Sequence, residues 1–132
     1  MSSTIRTFNC PAGANYDDKA GYLVYSSAAN EVTLITDGVG AGQKPVGIIV
    51  RTDSTENGSA VSVCTAGECF IKLSANHNFT LGTEHFSPSN AGLGHQPAAG
   101  YWVVGKLDGN TAPAASELYP CIVQIENAVV AA

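Results

Sequence analysis

The chain is predicted to be all-β, a single-domain β-barrel or β-sandwich with an extended N-terminal arm and little or no helix. Three observations predict this. Charged residues make up only 13% of 132 residues and hydrophobic ones 45%, with Gly, Ser, Thr, Ala and Val abundant, a composition suited to strands and tight turns. Short runs of β-branched and aromatic residues recur between Gly, Asn, Asp and Pro. No window of a dozen residues carries a 3.6-residue period, and the best candidate, 75–82, is interrupted by Asn, Thr and Gly.

The elements follow in order. STIRTF alternates polar and apolar residues and has strong β propensity, so the arm, 1–12, is a strand that either pairs with its own domain or adds to a neighbour's sheet. Residues 13–132 form the domain, long enough to bury roughly two-thirds of its unfolded surface. Strands are expected at 22–26 and 31–36, turned by Ala28, Ala29 and Asn30. A Gly-rich loop leads to 45–51, and Asn57-Gly58 offers the positive φ of a tight turn before 60–65. TAGE reads as a four-residue turn into 68–73. Further strands are expected at 84–87, 92–96, 101–107 and 119–126. Asp108-Gly109 supplies a second positive-φ turn, and 108–117 reads as the most mobile loop. Pro45, Pro97, Pro113 and Pro120 fall at strand starts or in loops, where no amide hydrogen is needed.

The chain also repeats itself. ANYDDKAGYLVYSS, 14–27, returns as ANHNFTLGTEHFSP, 75–88, with Ala14/Ala75, Asn15/Asn76, Gly21/Gly82 and Ser26/Ser87 identical. The order of elements repeats as well, giving two similar β units at about 13–73 and 74–127. Gly47 and Gly105 occupy matching places within apolar runs. Glycine inside a strand marks a bulge or the close approach of another backbone.

Composition and motifs exclude several functions. Six basic residues against eleven acidic ones give a net charge of −5 with no adjacent Lys or Arg, so no stripe tracks nucleic-acid phosphates. No run is apolar enough for a signal peptide or a membrane span, so synthesis and retention in the cytosol are expected. The GVGAGQKP loop does not have the form of a phosphate loop, because Lys44 is followed at once by Pro45 and a strand instead of a helix. No Ser stands in G-x-S-x-G, and His77, His85 and His95 show no metal-ligand spacing. Asp17, Asp18, Glu56, Glu84 and His85 could hold a cation or a proton, but acidic residues in turns are ordinarily just solvated. No enzymatic role and no cofactor are expected. Cys64 and Cys69 flank the expected TAGE turn, where they would face each other across a hairpin. Free half-buried thiols, a late disulfide and a metal site all remain open there. Cys10 and Cys121 complete the four cysteines.

Taken together, PAGANYDDKAGYLVYSSAANEV, KPVGIIVRT, GSAVSVCTAGECFIKL, LGTEHFSPSNAGLG, WVVGKLDG and CIVQI resemble the small capsid decoration proteins of tailed bacteriophages, also called cement or head-stabilisation proteins. The resemblance covers roughly residues 10–126. The second copy departs from the pattern in lacking a Pro before Trp102-Val103-Val104-Gly105. The resemblance implies a homotrimer on the outer surface of an expanded icosahedral head, with the major capsid protein as partner and neither nucleic acid nor membrane involved. On that reading Ile5, Arg6, Thr7 and Phe8 would engage the capsid or an adjacent protomer, with Tyr16, Tyr22, Tyr101 and Trp102 as candidate anchors. A carbohydrate-binding β-sandwich, such as a tail-fibre tip with Tyr101 and Trp102 as a stacking platform, is the competing expectation.

Overall fold

The structure, a computed structural model, describes residues 3–11, 14–16, 18–38, 42–52, 60–74, 79, 84–114 and 117–125. The expected Asn57-Gly58 turn and most of the echo at 75–82 lie outside these residues.

Nine strands form among them: β1 Thr4–Asn9, β2 Leu23–Ala28, β3 Glu31–Leu34, β4 Pro45–Thr52, β5 Ala60–Lys72, β6 His85–Pro88, β7 Gly94–His95, β8 Gly105–Leu107 and β9 Leu118–Val123. No helix is present among the described residues. The all-β expectation therefore holds. The ladder order is β1-β3-β2-β4-β5-β9-β8-β6-β7, with a further pairing of β1 to β5.

That order contains the sequence repeat. In the first half β2 pairs antiparallel with β3 and with β4, and β4 pairs with β5. In the second, β6 pairs antiparallel with β7 and with β8, and β8 pairs with β9. The two sets meet where β5 runs antiparallel to β9 over Gly67–Lys72. Two units with one pairing plan are thus joined through their last strands.

The N-terminal segment is a strand of its own domain and not a projecting arm. Thr4–Asn9 pairs with Ala60–Ala66 of β5, because the alternating STIRTF finds an open edge there and satisfies its backbone groups. Through Asn9↔Glu31 the same strand touches β3. Strands β3, β2, β4, β5 and β1 thereby make a ring whose β1–β3 seam is one residue pair, so closure is incomplete.

Two cores share the wall formed by β2, β4 and β5. Val24, Ile49, Val61 and Val63 face one cluster with Phe8, Cys10, Tyr16 and Val32. Their sequence neighbours Leu23, Ile48 and Cys64 face the other, with Ile71, Phe86, Val104, Leu107, Tyr119 and Val123. Alternate residues of a strand point to opposite faces, and a wall buried on both sides needs apolar residues at every position. This is why the runs in β2 and β4 do not alternate. Each such Leu, Ile or Val contributes about 1.5–3 kcal/mol by burial.

Three expectations need correction. TAGE is not a hairpin turn: β5 runs unbroken through it, with Gly67 at φ 89° absorbing a bend. The chain continues because the two parts of β5 have different partners, Val61–Cys64 pairing with β4 and Gly67–Lys72 with β9. The run 101–107 becomes a strand only at Gly105–Leu107, since Gly100 takes φ 86° and leaves Tyr101 and Trp102 on an irregular approach. Gly109 does not adopt a positive φ. A methyl group there would fall against the Tyr119 hydroxyl, so the glycine serves a close contact. That hydroxyl donates to the Thr111 carbonyl at 2.6 Å and ties the 108–117 loop to β9. The Ala28–Asn30 turn forms as expected, with Asn30 at φ 59°.

Candidate contact surface and thiol cluster

Strands β1, β5 and β9 build one face that combines the two most unusual features of the surface. Along β5 the burial pattern alternates strictly from Gly67 to Ile71, so Glu68 and Phe70 face outward while Cys69 and Ile71 face inward. On β9, Leu118 is exposed and Tyr119, Cys121 and Val123 are buried. Among the described residues the exposed large hydrophobic side chains are Ile5 at 48%, Phe70 at 55% and Leu118 at 52%. All three border a single open hollow of about 420 Å3. Scattered exposed apolar residues are ordinary, but a group gathered round one concavity makes a candidate contact surface. Glu68 and Asp108 add acidic character to its lining.

Of the residues singled out from sequence, Ile5 belongs to this surface, and Arg6 and Thr7 are exposed beside it on β1. Phe8 is 6% and Tyr16 5% exposed, and both belong to the core. The Tyr16 hydroxyl accepts the Leu34 amide at 3.2 Å. Burial raises its pKa above the ordinary value. Arg6 lies over the Phe8 ring at 5.0 Å. Tyr22 is half-buried and carries Lys19 at 5.0 Å and Lys72 at 5.7 Å from its ring centroid.

Tyr101 and Trp102 have different ring partners. Tyr101 stacks on His95 with centroids 6.0 Å apart, beside a hollow of about 360 Å3 that Ser74, Ser89 and Asn90 also line. Trp102 is half-buried with Lys44 over its ring at 5.7 Å. Its indole N–H is buried without a partner among the described residues.

Reading the sequence for anchors missed Phe70 and Leu118. The signal for Phe70 was available in ECFIK, where an aromatic interrupts the outward set Glu68, Phe70, Lys72. A hairpin at TAGE leaves the outward face of 68–73 undefined, so the sequence alone does not expose this signal.

Behind the surface lie three thiols. Cys69 and Cys121 are direct register partners across β5 and β9, and both line the 420 Å3 hollow. All four cysteines are buried thiols outside any disulfide. Cys64 and Cys69 therefore do not oppose each other across a hairpin, and the cross-strand partner of Cys69 is Cys121. Hydrogen bonding from Cys121 lowers the Cys69 pKa to about 7. Burial pushes Cys64 up to about 12, aided by the neighbouring Cys69. Cys121 is raised by its hydrogen bond to Cys69 and by burial. The cluster thus favours one thiolate, on Cys69, held by two protonated neighbours. Among the described residues no group of His, Cys, Asp and Glu is arranged to hold a metal ion. No helix among them is long and apolar enough to cross a membrane.

No family model matches the chain, and no curated protein matches it.

Proposed function

We propose that the protein is a structural decoration protein that binds the outer surface of an expanded phage head as a trimer and stabilises the shell. The observation that carries this reading is the apolar group Ile5, Phe70 and Leu118 around one hollow, on the face built partly by the N-terminal strand. Such a group costs solubility unless a protein surface covers it. The occupant is a ridge of the major capsid protein, and the remaining surface, in a chain of net charge −5, keeps unbound copies apart. Support also comes from β1, whose ladder to β3 ends at Asn9, so its outer edge is suited to accept a strand.

The mechanism is selective binding. A ligand that prefers the expanded shell shifts the equilibrium toward it by mass action. Three contacts on one rigid trimer raise the effective concentration of each.

A second reading, binding of a carbohydrate, is favoured by one place alone. The Tyr101–His95 stack borders the 360 Å3 hollow that also contains Ser74, whose buried hydroxyl has no partner among the described residues. Aromatic faces and unpaired hydroxyls suit a sugar ring.

Both readings are tested together. Purified protein is sized by sedimentation, then incubated with expanded and with unexpanded heads of the phage that encodes it, and with a glycan array. A trimer retained only on expanded heads, and lost with Phe70→Ser and Leu118→Ser, is the expected result. Retention on glycans and on neither shell would replace the first reading with the second.

A further inference from the structure

We infer that Cys69 and Cys121 are a redox-active dithiol that closes into a cross-strand disulfide by exchange with a small cationic disulfide. The inference rests on the thiol geometry and not on capsid binding, and its test uses the unbound chain.

Three observations carry it. First, the two residues are directly opposite on antiparallel strands. Opposed residues in such a ladder have Cα atoms about 4.5 or about 5.5 Å apart depending on the pair type, and both values suit a disulfide, which spans about 4.4–6.8 Å. The ladder spacing therefore lies within the range such a bond spans. Second, both residues line an open hollow of about 420 Å3, so a small reagent has a route to sulfurs that are otherwise 8% and 1% exposed by residue. Glu68 and Asp108 line the same hollow and favour a cation. Third, the two thiols are hydrogen-bonded to one another, with the thiolate favoured on Cys69. Thiolates attack disulfides and thiols do not.

The steps balance. The Cys69 thiolate attacks one sulfur of the reagent, breaking its S–S bond, forming a mixed disulfide and expelling one thiolate, which takes a proton. Cys121 then loses its proton and attacks the Cys69 sulfur, expelling the second thiolate. Two protein thiols are oxidised by two electrons and one reagent disulfide is reduced to two thiols. The new bond joins the two halves of the molecule at their shared β5–β9 seam. Cys64 hydrogen-bonds Cys69 as well as the Ala66 carbonyl, but it lies on the same strand as Cys69 and is not its register partner, so it takes no part in the product.

The folded full-length chain is treated with cystamine, quenched with acid, alkylated and mapped by mass spectrometry. The expected product has lost two hydrogens, carries no adduct and links Cys69 to Cys121. A link through Cys64 or Cys10, or four thiols left free, would overturn the inference. Cys121→Ser should stop at a stable cysteamine adduct on Cys69, and an adduct elsewhere counts against it. If that variant does not fold, early quenching of the unaltered chain reads the same step: the first adduct must fall on Cys69, and one on Cys64 or Cys121 refutes the assignment.

Discussion

Gly47 and Gly105 hold equivalent positions in the two halves. A methyl group placed on either would collide with a carbonyl oxygen of the next strand, that of Cys64 for Gly47 and that of Ile122 for Gly105. Each therefore marks the close backbone approach that its place within an apolar run implied, and the sequence duplication extends to atomic packing.

The first prediction concerns these glycines. Gly47→Ala and Gly105→Ala force strand backbones apart and should each destabilise the fold by about 3 kcal/mol or more. Gly42 has φ 83° and nothing near a added methyl group, so Gly42→Ala should cost only the left-handed strain, about 1–2 kcal/mol. Urea unfolding of the three variants checks the order.

A second contrast separates core from surface. Phe86 is fully buried in the larger core, and Phe86→Ala should cost about 3–5 kcal/mol. Phe70, more than half exposed, should cost within about 0.5 kcal/mol when replaced by Ser while weakening shell binding. Thermal unfolding and shell retention, measured side by side, should diverge for these two variants.

The Tyr119 hydroxyl makes a part-buried hydrogen bond to the Thr111 carbonyl. Tyr119→Phe should cost about 1 kcal/mol. Hydrogen exchange should show the loss as faster opening confined to the 108–114 segment.

Stability should depend on pH in two opposed ways. Cys69 is lowered from 9.0 to about 7, so its contribution is fully present above 9.0 and is lost as pH falls through about 7. Cys64 is raised from 9.0 to about 12, so its contribution is fully present below 9.0 and is lost as pH rises toward 12. Cys121 and Tyr16 are also raised and act in the same direction as Cys64. The groups facing Cys69 in this balance are Cys64, Cys121 and, through Cys121, Asp108. Unfolding free energy should therefore climb between pH 7 and 9 and fall above it. A flat profile across both ranges would contradict the thiol assignment.

Oxidation provides the last test of the cluster's role. A Cys69–Cys121 bond should add about 2–4 kcal/mol by constraining the unfolded chain. Comparing urea midpoints of the reduced and cystamine-treated protein measures it.

Much of this architecture was legible in the chain. Strand positions follow from apolar runs such as PVGIIV and from local turn chemistry such as Asn30, and both are short-range. The all-β class and the repeated units follow in turn. Residue roles were less accessible: Phe8 and Tyr16 carry the same aromatic character as an interface anchor, and only packing shows that they are core. Phe70 and Leu118 look like core residues until the outward face of β5 and β9 is known.

The sequence by itself determined the all-β class, the approximate places of most strands and the repeated order of elements. Tertiary structure decided that β5 continues unbroken through TAGE, that the N-terminal strand closes onto β5, and that the cross-strand partner of Cys69 is Cys121 and not Cys64. The physical reason is register. Local residues fix a strand's propensity, but which residue stands opposite which is set by the cooperative pairing of segments far apart in the chain, where a slip of one residue would turn every side chain to the wrong face.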